Sequence, residues 1–154
     1  MTVYFLDSSA LVKKYISEVG SAWILNLLRP ETENDFFAAA VTGVEVIAAI
    51  TRRARGNSIS RTDAAVACQR FRKDCQEYLQ VIQITDAVIT AAIALAEAQA
   101  LRGYDAIQLA AGCAVNQLSI ASDLPPVVFV SADDELNRAA VGQGLQIENP
   151  NDHL

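Results

Sequence analysis

Apolar positions along this chain switch between two rhythms. One is the short β-branched or aromatic run of a buried strand, and the other the three-to-four-residue spacing of an amphipathic helix. Residues 2–6 form a strand-like run ending at Asp7, and residues 8–16 and 21–28 have helical spacing, with Arg29-Pro30 stopping the second helix. Residues 36–40 read as a second strand, and residues 42–55 as a helix closed by the Gly56-Asn57 turn signal. Ser60 is placed to cap a charged amphipathic helix running to about Tyr78. Residues 79–84 alternate like a strand. Thr85-Asp86 then open an alanine-rich helix to about Leu101, ended by Gly103, and another helix runs from near Tyr104 to about Leu118. After Pro125-Pro126, residues 127–130 predict a buried strand, 132–141 a helix and 145–147 a last strand. The polar tail from Glu148 is expected to fray.

Strands alternating with helices, with no repeat or linker between them, predict an α/β fold: a central, mostly parallel sheet of four to five strands flanked by helices. A single domain over residues 1–148 with a tail at 149–154 is expected. The length of 154 residues suits one core, and 52% hydrophobic with 19% charged residues is a globular composition. No apolar run is long enough to span a bilayer; residues 87–101 contain Glu97 and predict a buried helix. Residues 1–6 are too short for a signal peptide, so no membrane contact and a cytoplasmic location are expected.

The chemistry available is narrow. The only histidine is His153, which removes Ser-His-Asp and Cys-His catalysis, and no phosphate-binding glycine loop is present. Of three cysteines, Cys68 and Cys75 sit about 10 Å apart along one helix, too far to pair. With no C-x-x-C and the only histidine in the tail, no zinc site and three reduced thiols are expected. The net charge of −6 argues against holding nucleic acid by charge alone, but not against metal-assisted phosphate chemistry.

Four acids stand out by their surroundings. Asp7 is the only charged residue in residues 1–12, Glu45 in 36–51 and Asp105 in 103–122. Asp133 follows the 127–130 strand much as Asp7 follows the first. A carboxylate in an otherwise apolar segment is costly unless something compensates it. Asp7, Asp105 and Asp133 each have an ordinary alternative as helix caps or first-turn acids. Glu45 lies inside its helix, and its ordinary alternative is an ion pair with Arg52 or Arg102. Taken together, four acids without other catalytic equipment suit Mg²⁺ or Mn²⁺, which take hard oxygen ligands.

The blocks around these acids resemble the PIN-domain family, and in particular the toxin half of VapBC toxin–antitoxin pairs. Tyr4-Phe5-Leu6-Asp7-Ser8-Ser9-Ala10-Leu11-Val12 is similar to the family's opening strand and first acid. Thr42-Gly43-Val44-Glu45-Val46 resembles its helical acidic segment. Leu101-Arg102-Gly103-Tyr104-Asp105-Ala106-Ile107-Gln108-Leu109-Ala110 is the most specific match, and Phe129-Val130-Ser131-Ala132-Asp133 followed by Leu136 resembles the last block. The resemblance implies a PIN-like α/β/α sandwich and a metal-dependent endoribonuclease. Its one or two Mg²⁺ or Mn²⁺ ions would be bound by Asp7, Glu45, Asp105 and Asp133. Ser9 and Ser131 would orient a ligand carboxylate or water. Asp134, beside Asp133, is the competing fourth acid, and Glu18 is a weaker candidate expected to be solvated. A homodimer and a VapB-like antitoxin are the implied partners, with RNA as substrate.

Seven of the twelve basic residues fall between Arg52 and Lys73. Arg52, Arg53 and Arg55 are candidates to contact RNA or an antitoxin; the ordinary alternative is a solvated helix face. Trp23, Phe36, Phe37 and Phe71 are candidates to line an antitoxin groove, or else simply core. Competing functions are a PIN-like module that binds RNA or assembles without cutting, and a solitary RNA-processing nuclease. A haloacid-dehalogenase-like phosphatase is set aside because Ser9 stands where that family needs a second Asp.

Overall fold

Five short strands line up in parallel in the computed structural model, which describes residues 1–154. They are β1 (Val3–Leu6), β2 (Asp35–Ala39), β3 (Leu79–Ile82), β4 (Val128–Val130) and β5 (Gln146–Glu148), in the order β3-β2-β1-β4-β5. All four strand pairings are parallel, with Phe5 opposite both Phe37 and Phe129. The helices are α1 (Ser8–Leu11), α2 (Ser21–Leu27), α3 (Ala40–Arg55), α4 (Arg61–Glu77), α5 (Asp86–Gln99), α6 (Gly103–Ala121) and α7 (Asp134–Gly142).

The central strand β1 explains the two-sided core. Its side chains alternate between faces, so Val3 and Phe5 join one apolar cluster with α5, α6 and α7. Tyr4 and Leu6 join the other, with α1 to α4. A strand covered on both faces reads as a continuous apolar run, as β1 does. Phe5 stacks on Phe129 at 5.5 Å, and α6 lies close against this pair. Gly112 allows that approach: a Cβ there would come within 2.8 Å of the Phe129 ring.

Several expectations are corrected. The 8–16 helix is α1 followed by a 3₁₀ turn at Val12–Lys14. Gly103 does not end the alanine-rich helix. Ala100 closes it in the left-handed region at φ 53°, and Gly103 begins α6. Nor is α5 a buried helix: it is an outer helix with only Val88 and Ala92 buried, and Ile89 and Ile93 face outward. The tail does not fray. A 3₁₀ turn at Pro150–Asp152 is capped by Asn149, and His153 stacks on Trp23 at 4.4 Å. Gly20, at φ 85°, admits the Pro150 backbone at a distance no side chain would tolerate. The four aromatics do not share one groove, and the ordinary alternative accounts for most of them: Phe36 and Phe71 are core, Phe37 packs against the core and borders a small apolar hollow, and Trp23 holds the tail. The three cysteines are free, and no helix is long and apolar enough to cross a membrane.

Candidate active site

The strand order reverses direction at β1, whose neighbours are β2 on one side and β4 on the other. Such a switch point opens a crevice beyond the carboxyl ends of the strands. Asp7 is the first residue past β1 and Asp133 lies three past β4. Glu45 follows β2, in the second turn of α3, and Asp105 is in the first turn of α6. The fold brings all four to one open cleft of about 530 Å³, also lined by Ser8, Ser9 and Arg52.

Asp7 is the most constrained. It is 2% exposed, and its Oδ1 accepts from the Ser9 hydroxyl at 2.7 Å and the Ala10 amide at 3.1 Å, capping α1. Its Oδ2 accepts from the Ser131 hydroxyl at 3.0 Å. The two serines also stitch the β1 and β4 ends together, because Ser9 Oγ accepts from the Ala132 amide and Ser131 Oγ donates to Asp7, while Ser131 Oγ itself accepts from the Asp133 amide. Asp133 in turn caps α7, with Oδ1 accepting from the Glu135 and Leu136 amides. Capping and a place in the cleft are therefore not alternatives for Asp7 and Asp133: one carboxylate does both.

Glu45 has no ion pair with Arg52 or Arg102. Its oxygens accept instead from Ser8 Oγ at 3.0 Å and Gln108 Nε2 at 2.9 Å. Gln108 also donates to Thr42, at 2.8 Å. Ser8, Thr42 and Gln108 were not singled out in the sequence. A signal for the last two was there: Thr42 and Gln108 lie three residues from Glu45 and Asp105, on the same helix faces. Gln108 is 1% exposed and leaves its carbonyl oxygen without a partner, a cost an apolar residue would avoid.

The electrostatics show a surplus of negative charge. Burial pushes the Asp7 carboxyl up to about 7, against the opposing hydrogen bonds of Ser9, Ala10 and Ser131 and with a small push from Glu45. Asp105 is also raised, by burial first and then by Asp133 and Glu45, with Arg102 opposing. Arg52 is the one cationic side chain lining the cleft. The donors are all hard oxygens and short of positive charge, which fits a divalent cation. No three acids stand close enough to enclose an ion by themselves. Any ion bound here would need water or ligand oxygens besides the carboxylates to complete its shell.

Other candidates are separated from this cleft. Asp134 accepts from Asn149 Nδ2 and borders a different hollow near the tail. Glu18 is not simply solvated: it pairs with Lys13 at 3.0 Å and with Arg53 at 2.8 Å. Arg53 is thus engaged, Arg55 is exposed outside the cleft, and only Arg52 of the three lines it.

Two curated proteins are similar to the chain, Ribonuclease VapC45 and Ribonuclease VapC49 of Mycobacterium tuberculosis. Each is 29% identical over 147 residues, covering 96% of this chain and 95% of the relative. Among solved structures, FitAcB from Neisseria gonorrhoeae superposes with a TM-score of 0.64 at 14% identity, covering 98% of this chain and 99% of that one. VapBC2 from Rickettsia felis bound to a promoter DNA fragment gives 0.60 at 15%, covering 96% and 98%. A toxin–antitoxin complex from Klebsiella pneumoniae gives 0.60 at 16%, covering 96% and 97%. No protein-family model matches the chain. The similarity to the two VapC ribonucleases extends over 96% of the chain, and the expected α/β/α sandwich is the fold observed.

Proposed function

We propose that this chain is a metal-dependent endoribonuclease, the toxin of a VapBC-type pair. Its relatives carry the ribonuclease name along nearly their full length, and solved toxin–antitoxin proteins share its fold. The observation that carries the reading is the convergence of Asp7, Glu45, Asp105 and Asp133 in one cleft faced by a single arginine. A VapB-like antitoxin and a second copy of the chain are the partners this reading assigns, with RNA as substrate in the cytoplasm.

In this reading the four carboxylates hold one or two Mg²⁺ or Mn²⁺ ions. Bound there, a divalent ion supplies Lewis acidity, making water a stronger acid and offsetting charge on the phosphodiester. The protein's own groups do the positioning. Ser9 and Ser131 fix both oxygens of Asp7, and Ser8 and Gln108 fix both oxygens of Glu45. A carboxylate gripped on both oxygens keeps its remaining lone pairs aimed one way before substrate arrives, which lowers the reorganisation cost of reaction. Arg52 is placed to hold a substrate phosphate at the rim.

The test is cleavage of labelled structured RNAs by wild type and Asp7→Asn, with Mg²⁺, Mn²⁺ or EDTA. Metal-dependent cutting that disappears in the variant supports the reading. Equal cutting by both proteins traces the activity to a contaminant. No cutting by either, with no calorimetric Mn²⁺ binding, makes the chain a non-catalytic module.

A further inference from the structure

The acids occupy the floor of the cleft, but its rim carries two exposed apolar side chains that the phosphate chemistry does not use. Tyr104, immediately before Asp105 at the start of α6, is 59% exposed. Val44, immediately before Glu45 in α3, is 69% exposed. Both line the same cleft as the acids. The tyrosine is free of internal duties: no other aromatic ring stacks on it and its hydroxyl makes no hydrogen bond within the protein. An aromatic face left in water beside a carboxylate cluster contributes nothing to the core.

We propose that Tyr104 is a base-stacking platform, with Val44 as an apolar neighbour, for the nucleotide whose phosphate is held at the acids. The inference rests on the nuclease reading for its ligand class, and it adds a base subsite and the residue that forms it. The chemistry follows from adjacency. Nucleobase and phosphate belong to one nucleotide, and Tyr104 and Asp105 are consecutive on one helix end. A phosphate drawn to the floor brings its base to the rim. A base in a duplex has both faces covered by its neighbours, whereas an unpaired one can stack on a ring. Aromatic faces accept any base, so the platform selects for single-strandedness more than for sequence.

The test measures binding and cutting separately. Fluorescein-labelled oligoadenylate, an abasic strand of equal length and an RNA duplex are titrated into wild type, Tyr104→Ala, Tyr104→Phe and Tyr104→Trp. Fluorescence anisotropy is the readout, with Ca²⁺ in place of Mg²⁺ to keep the strand whole. Wild type, Tyr104→Phe and Tyr104→Trp should prefer oligoadenylate over the abasic strand and the duplex by about tenfold, the scale of one stacked base. Tyr104→Ala should lose that preference while its melting temperature stays that of wild type, since the side chain is exposed. An unchanged preference in Tyr104→Ala overturns the platform. So does unchanged RNA binding combined with loss of a co-expressed antitoxin, which would assign the ring to a protein partner. RNA cleavage in Mg²⁺ is scored on the same proteins. A Tyr104-dependent preference without cleavage would sink the nuclease reading and leave the base site standing; cleavage without the preference would do the reverse.

Discussion

Replacing Asp7 with asparagine should stabilise the metal-free protein, although it destroys the proposed site. Asp7 is buried, and its carboxyl is raised from 3.8 to about 7. The folded state therefore holds a proton that the unfolded state releases between those values. Its contribution to stability is full below pH 3.8 and is lost as pH rises through 7. Above that, the buried charge costs about 4 kcal/mol relative to a neutral group, from a raise of about three pH units at 1.36 kcal/mol each. Asparagine is neutral throughout and nearly isosteric. Its carbonyl can accept from Ser9 and Ala10, while its amide donates to Ser131 once that hydroxyl turns. Imperfect replacement of these bonds reduces the gain to about 2–4 kcal/mol, or about 6–12 °C in melting temperature for a chain of this size. The assay is thermal unfolding in EDTA at pH 8, 6 and 4. Asp7→Asn should melt higher than wild type at pH 8, less so at pH 6, and at or below it at pH 4, where only the imperfectly replaced hydrogen bonds remain to separate them. Adding Mg²⁺ at pH 8 should raise wild type and not the variant, because only a state that binds the ion gains from it. A variant that melts below wild type at pH 8 in EDTA, or a gap that does not change with pH, would refute the account of the site as a cation-deficient cluster.

The neighbouring acids should separate cleanly: Asp133→Asn is expected to lower RNA cleavage by at least tenfold while preserving stability to about 0.5 kcal/mol, since Asn caps a helix as well as Asp does. Asp134→Asn should cut at the wild-type rate, because that side chain faces Asn149 and not the cleft. Gln108→Ala releases Glu45 from its amide donor and should reduce kcat about tenfold with little change in KM, measured by steady-state cleavage, as expected for a positioning residue. Gly112→Ala drives a methyl against the Phe129 ring at 2.8 Å and should cost about 1–3 kcal/mol by urea unfolding. The helix preference for alanine, about 1 kcal/mol, offsets only part of this.

Local and periodic features were legible in the sequence. The alternation of strand and helix follows from which side chains must leave water, and the caps at Ser60 and Thr85 from which side chains can satisfy free amides, so both could be read one segment at a time. The four acids could be found because each is a lone charge in an apolar stretch, an anomaly visible without coordinates. What only the tertiary structure decided depends on residues distant along the chain. Sheet order placed the ends of β1 and β4 side by side, letting Ser131 reach Asp7 across 124 positions, and the placing of α6 near α3 let Gln108 reach Glu45 across 63. The same order turned Asp133 toward the cleft and Asp134 toward the tail. The exposure of α5 and the docking of the tail were misread for a related reason. Alanine-rich and polar segments carry little periodic signal, so whether they are covered is decided by the partner surface: Val88 and Ala92 are the only buried side chains of α5, and Trp23 meets His153. Sequence pattern specifies what a segment prefers; packing alone decides which segments meet.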